Sequence, residues 1–290
     1  MEIGTMTEFK FSRRRALQVA GGTLMASMMT GISSAARADA VTLDSVKKMG
    51  KLRIGVEATY PPFTFREGGK IVGYDIDLAV LFCESLGVEP EIIDTQWSGI
   101  IPSLYADRFE IIMSSMSYTK ERLGRVLFTI PYAEASQAML IREKDVGTIK
   151  AIEDMSDRVL GVKLGSPGEI MRTKLDERIK AARGAGFKNH KTYDDHPSAY
   201  LALSQGTVDG VLNTLPTLAK VMQDRPGHYA IVRDVGHQNW AGIAMRQSDT
   251  EIKEFLDSEL KRLKENGKLY ELQEKWFGLR MNLAEDVPSF

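Results

Sequence analysis

From residue 51 onward the chain twice repeats one pattern, short β-rich runs alternating with stretches of helical periodicity. That pattern calls for parallel strands flanked by crossover helices, an α/β fold. In the first series 51–56 reads as a strand and 71–72 as a short one. A helix follows over 75–86, whose Ile76, Ala79, Val80, Cys83 and Leu86 recur at three-and-four spacing. A strand over 91–95, a helix over 99–105 and a strand over 109–114 complete the unit. The second series begins near Ile152, with strands over 158–162, 187–192 and 208–213 and helices over 169–182 and 197–205. Two similar units predict two lobes. No low-complexity linker separates them, which points to crossover strands and to a cleft at the boundary, where ligand pockets prefer to form. Two last helices, over 249–265 and 268–276, are parted by Asn266-Gly267, a C-cap signal.

The first 38 residues follow a different logic. Ser12-Arg13-Arg14-Arg15 opens a mildly apolar run, 16–32, that is interrupted by Gly21, Gly22, Thr23, Ser27 and Thr30 and followed by Ala36-Arg37-Ala38. This is the three-part order of a cleaved export signal. The paired arginines and weak hydrophobicity resemble a twin-arginine (Tat) signal, so residues 1–38 read as a removable address with a mature start at Asp39, or at Val41 through Ala38-Asp39-Ala40. The alternative is a basic amphipathic helix. The run is too short and too polar to span a bilayer core of ~30 Å.

Net charge is -1 over 290 residues with 43% hydrophobic content. That suits globular cores and excludes a disordered or collagen-like chain. The basic residues are scattered rather than gathered into a stripe, which argues against nucleic acid as a partner. Five basic and two acidic residues lie in the first 38, leaving the other 252 at about -4. Cys83, the one cysteine, cannot form an internal disulfide and sits on an apolar helix face, as a structural thiol does.

Thr119-Lys120-Glu121-Arg122 is the most informative short segment. Thr119 as an N-cap places Arg122 in a first helical turn, where the dipole disfavours a cation unless an anion is close. Following the strand that ends at Ser114-Ser115, Arg122 together with the Thr119 hydroxyl and the backbone N–H groups near Ser115 and Ser117 is a candidate carboxylate binder. The alternative is a solvent-facing Arg122 paired with Glu121. Gly165-Ser166-Pro167-Gly168-Glu169 reads as a helix start with a capping box from Ser166 to Glu169 and Pro167 in the first position. It lies at the carboxyl end of a strand, the edge at which open α/β sheets bind ligands, and Lys163 points into the same region. Tyr60 and Trp97 both follow strands and can cover a small ligand from two sides, or serve as core or rim aromatics. No P-loop, dinucleotide fingerprint, nucleophile elbow or zinc motif occurs, so neither cofactor nor metal is expected. His190, His196, His228 and His237 lack ligand spacing and read as surface residues.

Together these residues resemble the family 3 solute-binding proteins, the periplasmic receptors of ABC importers for polar amino acids and related compounds. The resemblance rests on Tyr60-Pro61-Pro62-Phe63-Thr64-Phe65, Gly73-Tyr74-Asp75-Ile76-Asp77-Leu78, Trp97-Ser98-Gly99-Ile100, Ser117-Tyr118-Thr119-Lys120-Glu121-Arg122, Phe128-Thr129-Ile130-Pro131-Tyr132 and Asn266-Gly267-Lys268-Leu269-Tyr270, in the family's order. It implies a type II two-lobe fold, with 39–136 plus 241–290 as one lobe, 137–240 as the other, and crossovers near 132–137 and 236–241 as hinge. It also implies a monomer that closes on a ligand and docks on a membrane permease. By the same resemblance Arg122, Ser115 and Ser117 match the carboxylate site and Tyr60 and Trp97 the aromatic walls. Glu57 matches a side-chain-reading acid, and Lys163 and Ser166 match second-lobe contacts. One position departs. The family's acid for the α-ammonium falls after Val211-Leu212, where this chain has Asn213-Thr214. Either Glu57 takes over the ammonium, or the ligand is not an ordinary α-amino acid. A dehydratase of the cyclohexadienyl type, with Glu57 or Lys163 as general acid, is the rival on the same scaffold. A sensory input domain is a third.

Overall fold

The computed structural model describes residues 40–289. The expected export signal lies outside them.

Two sheets organise the described residues. In the first, the order is Glu89–Asp94, Lys51–Val56, Ile111–Ser117, Trp240–Met245, Leu127–Phe128, with Ala133–Glu134 also paired to Trp240–Met245. The second runs Asn189–Tyr193, Val159–Lys163, Gly210–Thr214, Gln137–Arg142, Tyr229–Val232. Each therefore begins with the same arrangement, a second, first and third strand in parallel. The expectation of parallel sheets is corrected at the fourth strand. Gln137–Arg142 and Trp240–Met245 pair antiparallel with their neighbours, because each enters its sheet directly from the other one and so runs against the local strands.

The chain leaves the first sheet after Glu134 and returns between Val232 and Trp240. The two crossing segments are tied to each other. The Ala135 amide donates to the Asn239 carbonyl at 2.8 Å, and the Asn239 amide to Ser136 Oγ at 3.2 Å.

Burial covers both faces of each sheet, as parallel sheets require. On one face of the first sheet, Leu78 and Phe82 of the helix Tyr74–Leu86 pack with Ile252, Leu256 and Leu260 of Thr250–Glu265 and with Leu269 and Leu272 of Lys268–Phe277. Cys83 is buried in this cluster. Trp97, Ile100, Leu104, Phe109 and Tyr118 cover the other face. The second sheet is covered by Leu175 and Ile179 of Pro167–Arg183 on one side and by Ala199, Leu203 and Leu218 of His196–Ser204 and Leu215–Asp224 on the other. Helix ends follow the local chemistry. Thr119 Oγ1 accepts from the Arg122 amide, and Gly267, at φ 79°, supplies the left-handed turn between the last two helices. The expected capping box is only half formed: Ser166 Oγ accepts the Glu169 amide, but Glu169 reaches back to the Gly165 amide instead of Ser166. No helix among the described residues is long and apolar enough to cross a membrane.

Gly55, mid-strand in the first sheet, is a glycine for a packing reason. A Cβ there would lie 2.4–2.7 Å from the Phe109 ring. Gly55→Ala should therefore lower the urea midpoint, at a cost of roughly 1–3 kcal/mol for an overpacked core. An unchanged midpoint would contradict the packing described.

Candidate functional site

In a sheet of second-first-third order, the crevice lies at the carboxyl ends of the first and third strands, where their connections diverge to opposite faces. Here the two lobes turn those crevices toward each other. From the first lobe come Glu57, next after Lys51–Val56, and Ser114, Ser115 and Ser117 on Ile111–Ser117. From the second come Lys163, the end of Val159–Lys163, and Asn213 and Thr214, the end of Gly210–Thr214. Tyr60, Trp97 and Ser166 join them, so that every expected residue except Arg122 lines one shared cavity of about 20 Å³. Such a volume holds about one water.

The walls are joined across the cleft. Lys163 Nζ donates to Glu57 Oε2 and stands 4.6 Å from the Trp97 ring centroid and 5.4 Å from that of Tyr60. Tyr60 Oη donates to Asn213 Oδ1 at 2.9 Å and lies 2.7 Å from Thr214 Oγ1. Trp97 Nε1 donates to the Gly165 carbonyl at 3.0 Å. Burial pushes the Glu57 carboxyl up and the Lys163 ammonium down, and each is pulled back by the other's charge. Burial also drives the Tyr60 phenol up to about 12, so it stays a donor.

Arg122 is placed differently from the rest. It does not line the inner cavity but stands beside Trp97, 5.1 Å from the ring centroid, at a more open hollow of about 290 Å³. Its guanidinium donates to the Ser117 carbonyl at 2.8 Å and to the Gly165 carbonyl at 2.9 Å. It is 4% exposed, so the solvent-facing alternative is excluded, and Glu121 pairs with Arg125 instead. Burial lowers the Arg122 pKa to about 10, which leaves it charged at neutral pH.

Sequence reasoning missed Gln137 and His196, which also line the cavity, as does Pro167 of the helix start it had marked. His196, expected at the surface, is 4% exposed and stacks on Tyr60 at 5.5 Å between centroids. Burial, with the Lys163 charge second, holds its pKa well below the usual value, so the ring is neutral. A signal was available: Asp195 is an N-cap and Pro197 follows, the same strand-to-helix start that marked Ser166-Pro167.

Behind the cavity lies a fully buried acid. Asp75 accepts from Tyr132 Oη at 2.9 Å and Thr64 Oγ1 at 3.1 Å, and Tyr132 Oη in turn accepts the Ser115 amide at 2.9 Å. These bonds hold Ser115 at φ 46°, a left-handed conformation uncommon for serine. Burial, only partly offset by the bonds from Tyr132 and Thr64, raises the Asp75 pKa to about 7. The folded protein thus binds a proton more tightly than the unfolded chain. Stability from this group is complete below about pH 4 and lost as pH rises to about 7. The span corresponds to roughly 4 kcal/mol at about 1.4 kcal/mol per pH unit. Asp75→Asn should flatten stability over that window; an unchanged pH slope in urea melts would rule out this acid as its source.

Known proteins carry the same architecture. The model for bacterial extracellular solute-binding proteins, family 3, matches residues 52–279. The L-cystine-binding protein TcyJ of Escherichia coli K12 is 28% identical over 258 residues, covering 89% of this chain and 94% of that protein. ABC transporter arginine-binding protein 1 of the same strain is 28% identical over 232 residues, 78% of this chain and 90% of that one. Among solved structures, a mutant of ArgBP from T. maritima superposes with a TM-score of 0.74 at 35% identity, covering 82% of this chain and all of the other. The ancestral amino acid-binding protein AncCDT-1, described as a precursor of cyclohexadienyl dehydratase, gives 0.72 at 32% identity, covering 81% and 98%.

Proposed function

Because the chain belongs to the bacterial extracellular solute-binding proteins, family 3, we propose that it is an exported receptor that binds an amino acid or related small carboxylate between its lobes and hands it to an ABC permease. The observation that carries this reading is the cavity itself. Glu57, Tyr60, Trp97, Ser114, Ser115, Ser117, Lys163, Ser166, Asn213 and Thr214 line one cavity, and Arg122 lines a second hollow that shares Trp97 with it. The relatives, named for binding cystine and arginine, support the ligand class.

On this reading, residues 1–38 are a Tat-type signal, and the mature monomer consists of one lobe from 39–136 plus 241–290 and another from 137–240. The crossing segments act as the hinge. A cavity of about 20 Å³ is far too small for an amino acid, so the ligand enters when the lobes part and breaks some of the contacts across the cleft. Arg122 has five N–H donors, of which two are spent on backbone carbonyls. It receives the ligand carboxylate. The competing dehydratase reading predicts turnover of prephenate or arogenate, followed by ultraviolet absorbance; the receptor predicts none.

A cognate ligand at 100 times its Kd should stabilise the purified protein by about 2.7 kcal/mol, roughly 5–10 °C in midpoint for a chain of this size. No saturable shift from any member of an amino-acid and carboxylate library would sink the receptor. Arg122→Ala should weaken binding by roughly 10- to 100-fold, the worth of charged hydrogen bonds. Undiminished affinity would remove its assigned role.

A further inference from the structure

Resting on the receptor reading, the charges around the cavity go further and identify what kind of carboxylate fits. Three buried charged side chains bear on the site: Glu57 and Lys163 line the cavity and Arg122 the hollow beside it, at 5%, 3% and 4% exposure, while His196, buried in the cavity wall, is held neutral. Glu57 and Lys163 cancel whether the proton sits on the acid or the amine, so the pair sums to zero in either form. Arg122 is left over, and both of its hydrogen-bond acceptors are neutral carbonyls.

Two of the neighbouring acids are paired with cations of their own. Asp94 pairs with Arg66 at 2.7 Å and Glu121 with Arg125 at 3.4 Å. Asp195 accepts the Ser198 amide and Glu169 the Gly165 amide, each at a helix start; neither is ion-paired among the described residues, and Glu169 shares the hollow of Arg122. The second-lobe helices Pro167–Arg183, His196–Ser204 and Leu215–Asp224 also begin at this cavity, through Ser166 and Pro167, His196, and Thr214. Their amino ends add partial positive charge. Ser115 Oγ, buried and lining the cavity, has no hydrogen-bond partner.

A ligand cation would need a carboxylate and an aromatic enclosure. Both exist, and Lys163 already fills them, seated on Glu57 between Tyr60 and Trp97. We infer that the ligand is a carboxylate of net negative charge that brings no ammonium, such as a 2-hydroxy or 2-oxo acid, and that Lys163 is the residue that sets this preference. An α-amino acid would add a second ammonium around one carboxylate, and arginine would add a guanidinium as well.

Pairs of L-amino acids and their 2-hydroxy counterparts, which differ only in ammonium against hydroxyl, decide the question by calorimetric Kd. Aliphatic, aromatic, amide and acidic side chains should be covered, with arginine and cystine alongside. In the wild-type protein the hydroxy acid of any binding pair should be tighter by at least about tenfold, the ratio given by ~1.4 kcal/mol. Lys163→Met leaves Glu57 without its internal cation and should reverse that ratio. Glu57→Gln combined with Lys163→Met removes both charges, leaves Arg122, and should keep the hydroxy-acid preference even if the single variant does not fold. Tighter binding of an amino acid than of its counterpart in the wild type overturns the inference and leaves the receptor standing, as does saturable binding of arginine or cystine. So does an unchanged ratio in Lys163→Met or a lost preference in the double variant. Binding of nothing in the panel removes the receptor reading and the inference together.

Discussion

Glu57 and Lys163 meet from opposite lobes in a space that admits about one water. Either ion alone, buried there, would cost several kcal/mol. Each is made tolerable only by the other, so the pair can persist only while the lobes face each other closely. Tyr60 and Trp97 follow from the same constraint. Their rings enclose the ammonium, while the Tyr60 hydroxyl reaches Asn213 and Thr214 and the Trp97 indole reaches Gly165. The cleft is therefore closed by polar contacts. Hydration of the separated groups offsets much of what those contacts contribute, which is what the proposed receptor, with lobes that part to admit a ligand, requires.

The strand order explains why these residues meet at all. Both sheets place their first and third strands side by side, and both aim the carboxyl ends of that pair at the cleft. Helices leaving those ends bring their amino termini with them, so positive potential is inherent in the geometry before any side chain is considered. In such a field Arg122 is an added cation, and Asn213-Thr214 supplies no acid to balance it.

Much of this was legible in the sequence because local chemistry repeats. The strand 51–56 is found as read, and Thr119, Ser166 and Asn266-Gly267 mark real helix ends. The candidate residues fall where strands end, the place that α/β topology reserves for ligands. What escaped was set by distant parts of the chain. Glu57 and Lys163 are 106 residues apart, and no local pattern announces that one will neutralise the other. Gln137 begins a crossover strand, whose antiparallel pairing depends on which sheet the chain has just left. His196 reads as a polar helix start, yet its ring is stacked against Tyr60 from the other lobe and Tyr200 of its own helix. Asp75 offers its helix a plausible first-turn acid, yet the Tyr132 hydroxyl from 57 residues away makes it part of the wall behind the site.

A crystal structure of the protein with the tightest ligand of the calorimetric panel tests the central claim most directly. The charge balance described predicts the ligand carboxylate on Arg122 with Lys163 still seated on Glu57. A ligand ammonium on Glu57, with Lys163 turned away from it, would contradict that balance and restore an ordinary amino acid as the cargo.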